Sequence, residues 1–378
     1  MKRLAFFAFA LFLVFAGCRK GKVACEPDPQ YYCFDSTKVV SVKLQEFCMK
    51  PSIALSDNGD IMLTVKDYKY NIVTRISGGG NIIWIKTKDT IGFDGIYRVS
   101  VDKFVIATPL NAMFVDLNGN MWNSSVNIGF GGNEVLSDGS YVVISTTVYP
   151  HNCIRKYEFT GSDLNFLWET CDTTYRKAIQ PIFPTITKHG AGYVATYEPE
   201  APVSFAVYKV DSNGNFLWSR GIILDTVIGA FVNAGVEAYD GGLVFVGKAV
   251  QRHTSEDCPL IVKLDSLGNL KWYRCIRKPF DNEVWGGPFK EVVRTPDGQY
   301  FAFGEVATCG SGYCIIAVKF DDEGNITLLR NYWSPLGASG LYDAKVSNDG
   351  VIYFTTCIDN LSTAAILKVD KDGNVLDW

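Results

Sequence analysis

The sequence predicts an all-β protein, a seven-bladed β-propeller of four-stranded antiparallel blades. Three observations predict it. One turn motif recurs seven times, a second motif alternates with it seven times, and six of the eight tryptophans fall in or beside one slot of the first. The period runs from about 40 to 57 residues, the length that builds one four-stranded blade.

The first motif has the shape Asp-x-x-Gly-Asn-x-x-Trp. Its copies are ISGGGNIIW at 76–84, VDLNGNMW at 115–122, TGSDLNFLW at 160–168, VDSNGNFLW at 210–218, LDSLGNLKW at 264–272, FDDEGNITL at 320–328 and VDKDGNVLDW at 369–378. The third keeps Asn165 and Trp168 without the motif's glycine, and the sixth carries Leu328 in place of tryptophan. The second motif is an Asp-Gly-type turn leading into an apolar run: DNGDIMLTV from Asp57, VDKFVIAT from Val101, DGSYVVIST from Asp138, HGAGYVATY from His189, DGGLVFVGK from Asp240, DGQYFAFGE from Asp297 and DGVIYFTTC from Asp349.

Local chemistry explains each element. An aspartate can accept backbone N–H bonds across a tight turn, and a glycine enters the left-handed region without a Cβ clash. Short β-rich runs on either side then form a hairpin. The inner strands read apolar on consecutive positions, as in Val142-Val143-Ile144 and Val244-Phe245-Val246, which suits a sheet buried on both faces. Lysine recurs two positions before the turn aspartate, at Lys209, Lys263, Lys319 and Lys368. We expect these to face solvent near the blade rim, where lysine also discourages edge pairing. The last repeat ends at Trp378, so the strand bearing it is expected to dock against the first blade. The β-rich stretch 37–47 is a candidate for an added strand at that seam.

The Trp-bearing repeat resembles the tryptophan-docking repeat of quinoprotein-like propellers, and the chain is similar to repeat lipoproteins of Bacteroidetes-type bacteria. The resemblance covers roughly residues 50–378. It implies that Trp84, Trp122, Trp168, Trp218, Trp272 and Trp378 pack flat between adjacent blades. It does not imply a quinone cofactor, because many such enzymes carry two adjacent cysteines at that site and no two cysteines are adjacent here.

Ahead of the repeats, Met1-Lys2-Arg3 precedes an apolar run from Leu4 to Ala16, the layout of a secretory signal. Thirteen residues make a helix of roughly 20 Å, short of the ~30 Å hydrocarbon core of a bilayer. Phe15-Ala16-Gly17-Cys18 resembles the lipobox of bacterial lipoproteins, with phenylalanine where leucine is usual. That resemblance implies cleavage before Cys18 and a lipid on its sulfur. Arg19, in place of an inner-membrane retention aspartate, points to the outer membrane. The expected organisation is a signal peptide at 1–17, a lipidated tether at 18–36 and the propeller at 37–378.

If Cys18 carries lipid, ten of the 11 cysteines remain, an even number suited to disulfides in an oxidising compartment. Cys153 with Cys171 and Cys258 with Cys275 bracket one hairpin each in corresponding repeats. Cys309 and Cys314 flank a short turn. The remaining four are expected to pair as Cys25 with Cys33 in the tether and Cys48 with Cys357, which would join the first repeat to the last. A zinc site is the alternative, but no CxxC pair exists and the three histidines are scattered. The Asp-x-Asn/Asp-Gly turns resemble the start of a calcium loop but lack a consistent later glutamate.

Net charge is −4, and −6 once Lys2 and Arg3 leave with the signal, which argues against nucleic acid. No catalytic motif and no cofactor motif is present. The long inter-repeat segments 277–291 and 331–344 carry Trp285, Tyr332, Trp333 and Tyr342, with Glu283, Glu291 and Asp343 nearby. Aromatics with acids around a propeller channel could hold a sugar or a peptide. The expected function is therefore a non-enzymatic, membrane-tethered binding or scaffold module for a protein or glycan. The competing reading is a glycan-active hydrolase or lyase using paired carboxylates in the central funnel, which it would need at about 5–10 Å.

Overall fold

A computed structural model describes residues 31–33, 38–44, 47–67, 70–89, 92–93, 95–108, 112–126, 133–135, 141–148, 151–172, 181–186, 192–197, 203–276, 287–309, 312–334, 338–359 and 361–378. Its regular elements are all strands.

Seven antiparallel sheets follow one another along the chain. Blade 1 comprises Met49–Leu55, Ile61–Lys66, Asn71–Ile76 and Ile82–Lys88, and blade 2 comprises Gly95–Arg98, Lys103–Ala107, Ala112–Asp116 and Met121–Asn123. Blade 3 is Asn133–Val135, Tyr141–Val148, His151–Phe159 and Leu164–Asp172, and blade 4 is Pro181–Ile186, Gly192–Tyr197, Phe205–Val210 and Phe216–Ile222. Blade 5 is Val227–Glu237, Leu243–Gln251, Asp257–Leu264 and Leu270–Cys275, and blade 6 is Phe289–Arg294, Tyr300–Cys309, Gly312–Phe320 and Ile326–Trp333. Blade 7 takes Ala338–Val346, Ile352–Ile358 and Thr363–Val369 from the C-terminal end and Val40–Lys43 from the N-terminal end. One bridge, Tyr313 to Ala338, joins blades 6 and 7.

The first strands of neighbouring blades lie side by side around an axis, and that of blade 7 returns to that of blade 1. The ring is closed. Among the described residues the apolar side chains form seven cores, one at each junction between consecutive blades. An open stack of seven sheets would have six.

The closure differs from the expectation for Trp378. No outer strand forms at the C-terminus, where only a bridge from Val369 to Val375 is present. Instead Val40–Lys43 supplies the fourth strand of blade 7 through Val40 opposite Ile366 and Lys43 opposite Thr363. Its alternating buried and exposed residues place Val40 and Val42 in the seam core, where period-2 patterning puts one face. The stretch read as tether is also not all tether. Tyr31–Cys33 runs parallel to the outer strand of blade 6, with Tyr31 opposite Asn331.

Most junctions share one kind of fastening. In five blades the turn aspartate receives the N–H groups two and four residues on, and its second oxygen takes the asparagine amide. Asp211 is bonded by Asn213 N, Asn215 N and Asn215 Nδ2 at 2.9, 2.8 and 2.8 Å. Asp116, Asp265, Asp321 and Asp370 repeat the pattern. These oxygens are engaged by their own turn. The tryptophan of the preceding blade then lies on that turn. The indole N–H donates to the carbonyl one residue past the aspartate: Trp84 to Leu117, Trp168 to Ser212 and Trp272 to Asp322, at 2.9, 3.2 and 2.9 Å. Trp122 reaches Ser162 and Trp378 reaches Lys38, while Trp218 lies against Gly268.

Two of the recurrent lysines, Lys263 and Lys319, are part of this fastening, contrary to the solvent-facing expectation. Lys263 is fully buried; its ammonium bridges Asp240 of its own blade's Asp-Gly turn (3.0 Å) and Asp322 of the next blade's turn (2.5 Å). Lys319, also buried, reaches Asp297 and the Lys371 carbonyl. Arg75 does the same in blade 1, between Asp60 and the Leu117 carbonyl. Lys368 lies over the Trp378 ring at 4.9 Å, and burial pulls the half-exposed Lys209 below the usual lysine range despite Glu237 nearby.

The opposite face carries the disulfides. Cys153–Cys171 and Cys258–Cys275 clasp the ends of hairpins in blades 3 and 5, and Cys48–Cys357 joins blade 1's entry to blade 7 across 309 positions. Cys314 is disulfide-bonded. The side chains of Cys309 and Cys33, and all of Cys18 and Cys25, lie outside the described residues.

Candidate binding site in the axial channel

The sequence candidates divide on the structure. Trp285 and Glu283 lie outside the described residues. Tyr332 is not a ligand-face residue. It is fully buried in blade 6's outer strand, and its hydroxyl donates to the Gly373 carbonyl at 2.9 Å. In the repeat that lost its tryptophan, Tyr332 and Leu328 cover the next turn's glycine. Trp333 ends the same strand, half-buried, beside Cys33 in the parallel pair. Tyr342 belongs to blade 7's first strand, packed on the seam core, with the Lys290 ammonium 5.5 Å from its ring centre.

The acids Glu291 and Asp343 are brought to one place, with three residues the sequence reading missed, Ser52, Tyr97 and Lys345. In blades 1, 6 and 7 the first strand breaks register just before Ser52, Glu291 and Asp343 respectively. Such irregularities re-aim a side chain. Asp343 is buried and accepts from Ser52 Oγ at 2.7 Å, Ile53 N at 2.9 Å and Lys345 Nζ at 2.6 Å. Ser52 Oγ in turn accepts from Ile96 N of blade 2 at 3.3 Å. One polar chain therefore crosses blades 7, 1 and 2. Lys345, two residues past Asp343 and so on the same strand face, feels Glu291 from blade 6 and Tyr97 from blade 2. Burial alone would lower its pKa, but Asp343 and Glu291 outweigh burial and hold the ammonium well above the usual lysine range. Beside this group, Lys290 is ion-paired with Glu305.

Chemically, the group is a network of paired charges. Asp343 already accepts three donors, which leaves little capacity to attack or to relay a proton. Lys345 stays an ammonium at neutral pH, so it donates hydrogen bonds and does not act as a nucleophile. Its side chain remains 37% exposed, enough to meet a ligand. The one metal-like grouping among the described residues, Cys153, Glu169 and Cys171, contains two sulfurs that are bonded to each other.

The fold defines the class: a closed seven-bladed β-propeller, with a group of charged and polar side chains on the first strands around its axis. No family model matches the sequence and no curated protein matches it. Solved structures do. A structure titled Kuenenia stuttgartiensis hydrazine synthase is similar over 88% of this chain and 98% of that one, with a TM-score of 0.62 and 11% identity. The β-propeller domain of the trilobed protease from Pyrococcus furiosus, described as an open velcro topology, is similar at TM-score 0.52 and 11% identity, covering 88% and 96% of the two chains. The Dos1 propeller gives 0.50 and 12%, over 88% and 84%. At such identities the likeness concerns the fold.

Proposed function

We propose that the protein is an envelope lipoprotein, held by lipid on Cys18, that binds a protein or glycan partner without chemical turnover. The observation that carries the binding reading is the state of the acids around the axis: Asp343 is committed to Ser52, Ile53 and Lys345, Glu291 faces the same Lys345 ammonium and Glu305 is paired with Lys290. A glycosidase needs one carboxyl able to protonate a leaving group and another able to attack or to activate water, and Asp343 supplies neither role. The lipid anchor rests on the residues around Cys18, and the outer-membrane placement on Arg19.

The test is to measure binding of the purified protein to a glycan panel and to fractionated envelope proteins, beside Lys345→Met and Asp343→Asn. The expected result is saturable binding of one species, weakened at least tenfold by Lys345→Met in protein whose cooperative melting shows it folded, with no product formed. Glycan turnover by the wild type that is abolished in Asp343→Asn would reverse the reading in favour of an enzyme.

A further inference from the structure

The outer strands of blades 4, 5 and 6 form an arc of the disc's rim with an unusual composition. Their sequences are FLWSRGI, LKWYRC and ITLLRNYW. They hold four cations and no acid, in a chain whose net charge is −4. Phe216, Leu217, Leu270 and Ile326 are exposed there by 44, 50, 37 and 47%, and Leu267 at the tip of blade 5's turn by 63%. Buried apolar faces are what strands normally show; large apolar residues exposed on three consecutive blades call for a partner.

The cations stand among them. Arg220 and Arg274 lie over Trp218 and Trp272 at 6.0 and 5.5 Å from the ring centres, and each donates to a neighbouring backbone carbonyl. Neither has a carboxylate partner among the described residues. Arg330 donates to Asn374, and Lys271 meets Asp240 at 3.3 Å. The nearby turn acids are already engaged: Asp211, Asp265 and Asp321 by their own turns, Asp322 by Lys263 and Tyr300. Exposed Glu323 is the acid left at that edge.

The N-terminal strand fixes which way this arc faces. Tyr31–Cys33 runs parallel to Ile326–Trp333, so its N-terminal end points toward the turn end of that strand, where Ile326 sits. Twelve residues separate Tyr31 from Cys18, a reach of at most about 45 Å. Blade 1 also exposes Ile82, Ile83 and Ile85, and blade 3 exposes Phe166 and Leu167, but blade 3's outer strand carries acids and the incoming chain joins blade 6.

We propose that this arc is a membrane-docking edge that takes the surface of an anionic lipid bilayer. The orientation rests on the reading of Cys18 as the anchor. Apolar side chains enter the headgroup boundary while Arg220, Arg274 and Lys271 meet lipid phosphates, the composition that interfacial binders share. The disc then sits with its turn-side rim toward the membrane and its disulfide-bearing face outward.

Vesicle flotation tests this with the chain from Arg19 onward, which contains every described strand, its fold checked by thermal melting. The expected result is binding to phosphatidylglycerol-containing vesicles, little to pure phosphatidylcholine, weaker binding at high salt, and at least a tenfold loss in Arg220→Glu/Arg274→Glu and in Phe216→Ser/Leu217→Ser at unchanged melting temperature. Equal binding of the variants, or no binding of the parent chain, overturns the docking edge. A concentration-dependent dimer abolished by Phe216→Ser/Leu217→Ser, without vesicle binding, assigns the arc to a second copy and overturns it too. Mass spectrometry of the intact exported protein reads the anchor separately. An unmodified Cys18 removes the anchor reading, and flotation then decides the edge on its own.

Discussion

Gly214 shows why the turn motif tolerates so little change. Its φ is +84°, and a Cβ added there would lie 2.5 Å from the Trp168 ring. Gly241 has a similar φ of +75°, but the nearest atom to an added Cβ is 4.0 Å away. The two positions separate backbone strain from lost docking space. Gly241→Ala is expected to cost about 1–2 kcal/mol, and Gly214→Ala about 2–4 kcal/mol because overpacking adds to the strain. Urea unfolding of both variants measures the difference; equal costs would show that the indole contributes nothing to the glycine requirement. Tyr332 illustrates the limit of reading single residues. Leu328, four positions earlier, stands where other repeats have tryptophan, and only the packed junction reveals that the Tyr332 hydroxyl makes a bond to the next turn.

At the scale of the turns and strands, the carboxylates act together. Donors from their own turn hold Asp211 below the usual aspartate range. Asp163, Asp240, Asp265, Asp297 and Asp321 are also held low, their hydrogen bonds and nearby lysines outweighing a burial that works the other way. A depressed folded pKa adds stability above the unfolded value, near 3.9, and loses it as pH falls through the folded value. The melting temperature should therefore be flat from pH 7 to about 5 and drop steeply below about 4. Asp211→Asn/Asp265→Asn, which lacks two of these charges, should start lower at pH 7 and show a shallower acid limb. The turns were legible in the sequence because each is built from five contiguous residues. The lysines were not. Lysine in a β-rich run reads as surface, and the partners of Lys263 and Lys319 include residues more than fifty positions further along. The channel group was half legible: Glu291 and Asp343 stood out as acids, whereas Ser52, Tyr97 and Lys345 gain meaning only when four blades converge.

For the whole molecule, the decisive bond is the one that spans the seam. Cys48–Cys357 closes a loop of 309 positions, against 17 for Cys258–Cys275. Loop-closure entropy assigns the first about 6 kcal/mol and the second about 3 kcal/mol. Denaturant unfolding of Cys48→Ala/Cys357→Ala beside Cys258→Ala/Cys275→Ala should reproduce that order, with the seam variant the less stable. The seam has a temporal consequence as well. A chain made or threaded from its N-terminus delivers Val40–Lys43 early and its partner Thr363–Val369 almost last. Until then the three C-terminal strands of blade 7 are not there to receive their outer strand, and the early segment keeps an unsatisfied edge. Two chains delivered side by side can exchange these segments, so crowding during synthesis favours swapped pairs, and whatever shields residues 40–43 in the interval governs the yield of correctly assembled monomer.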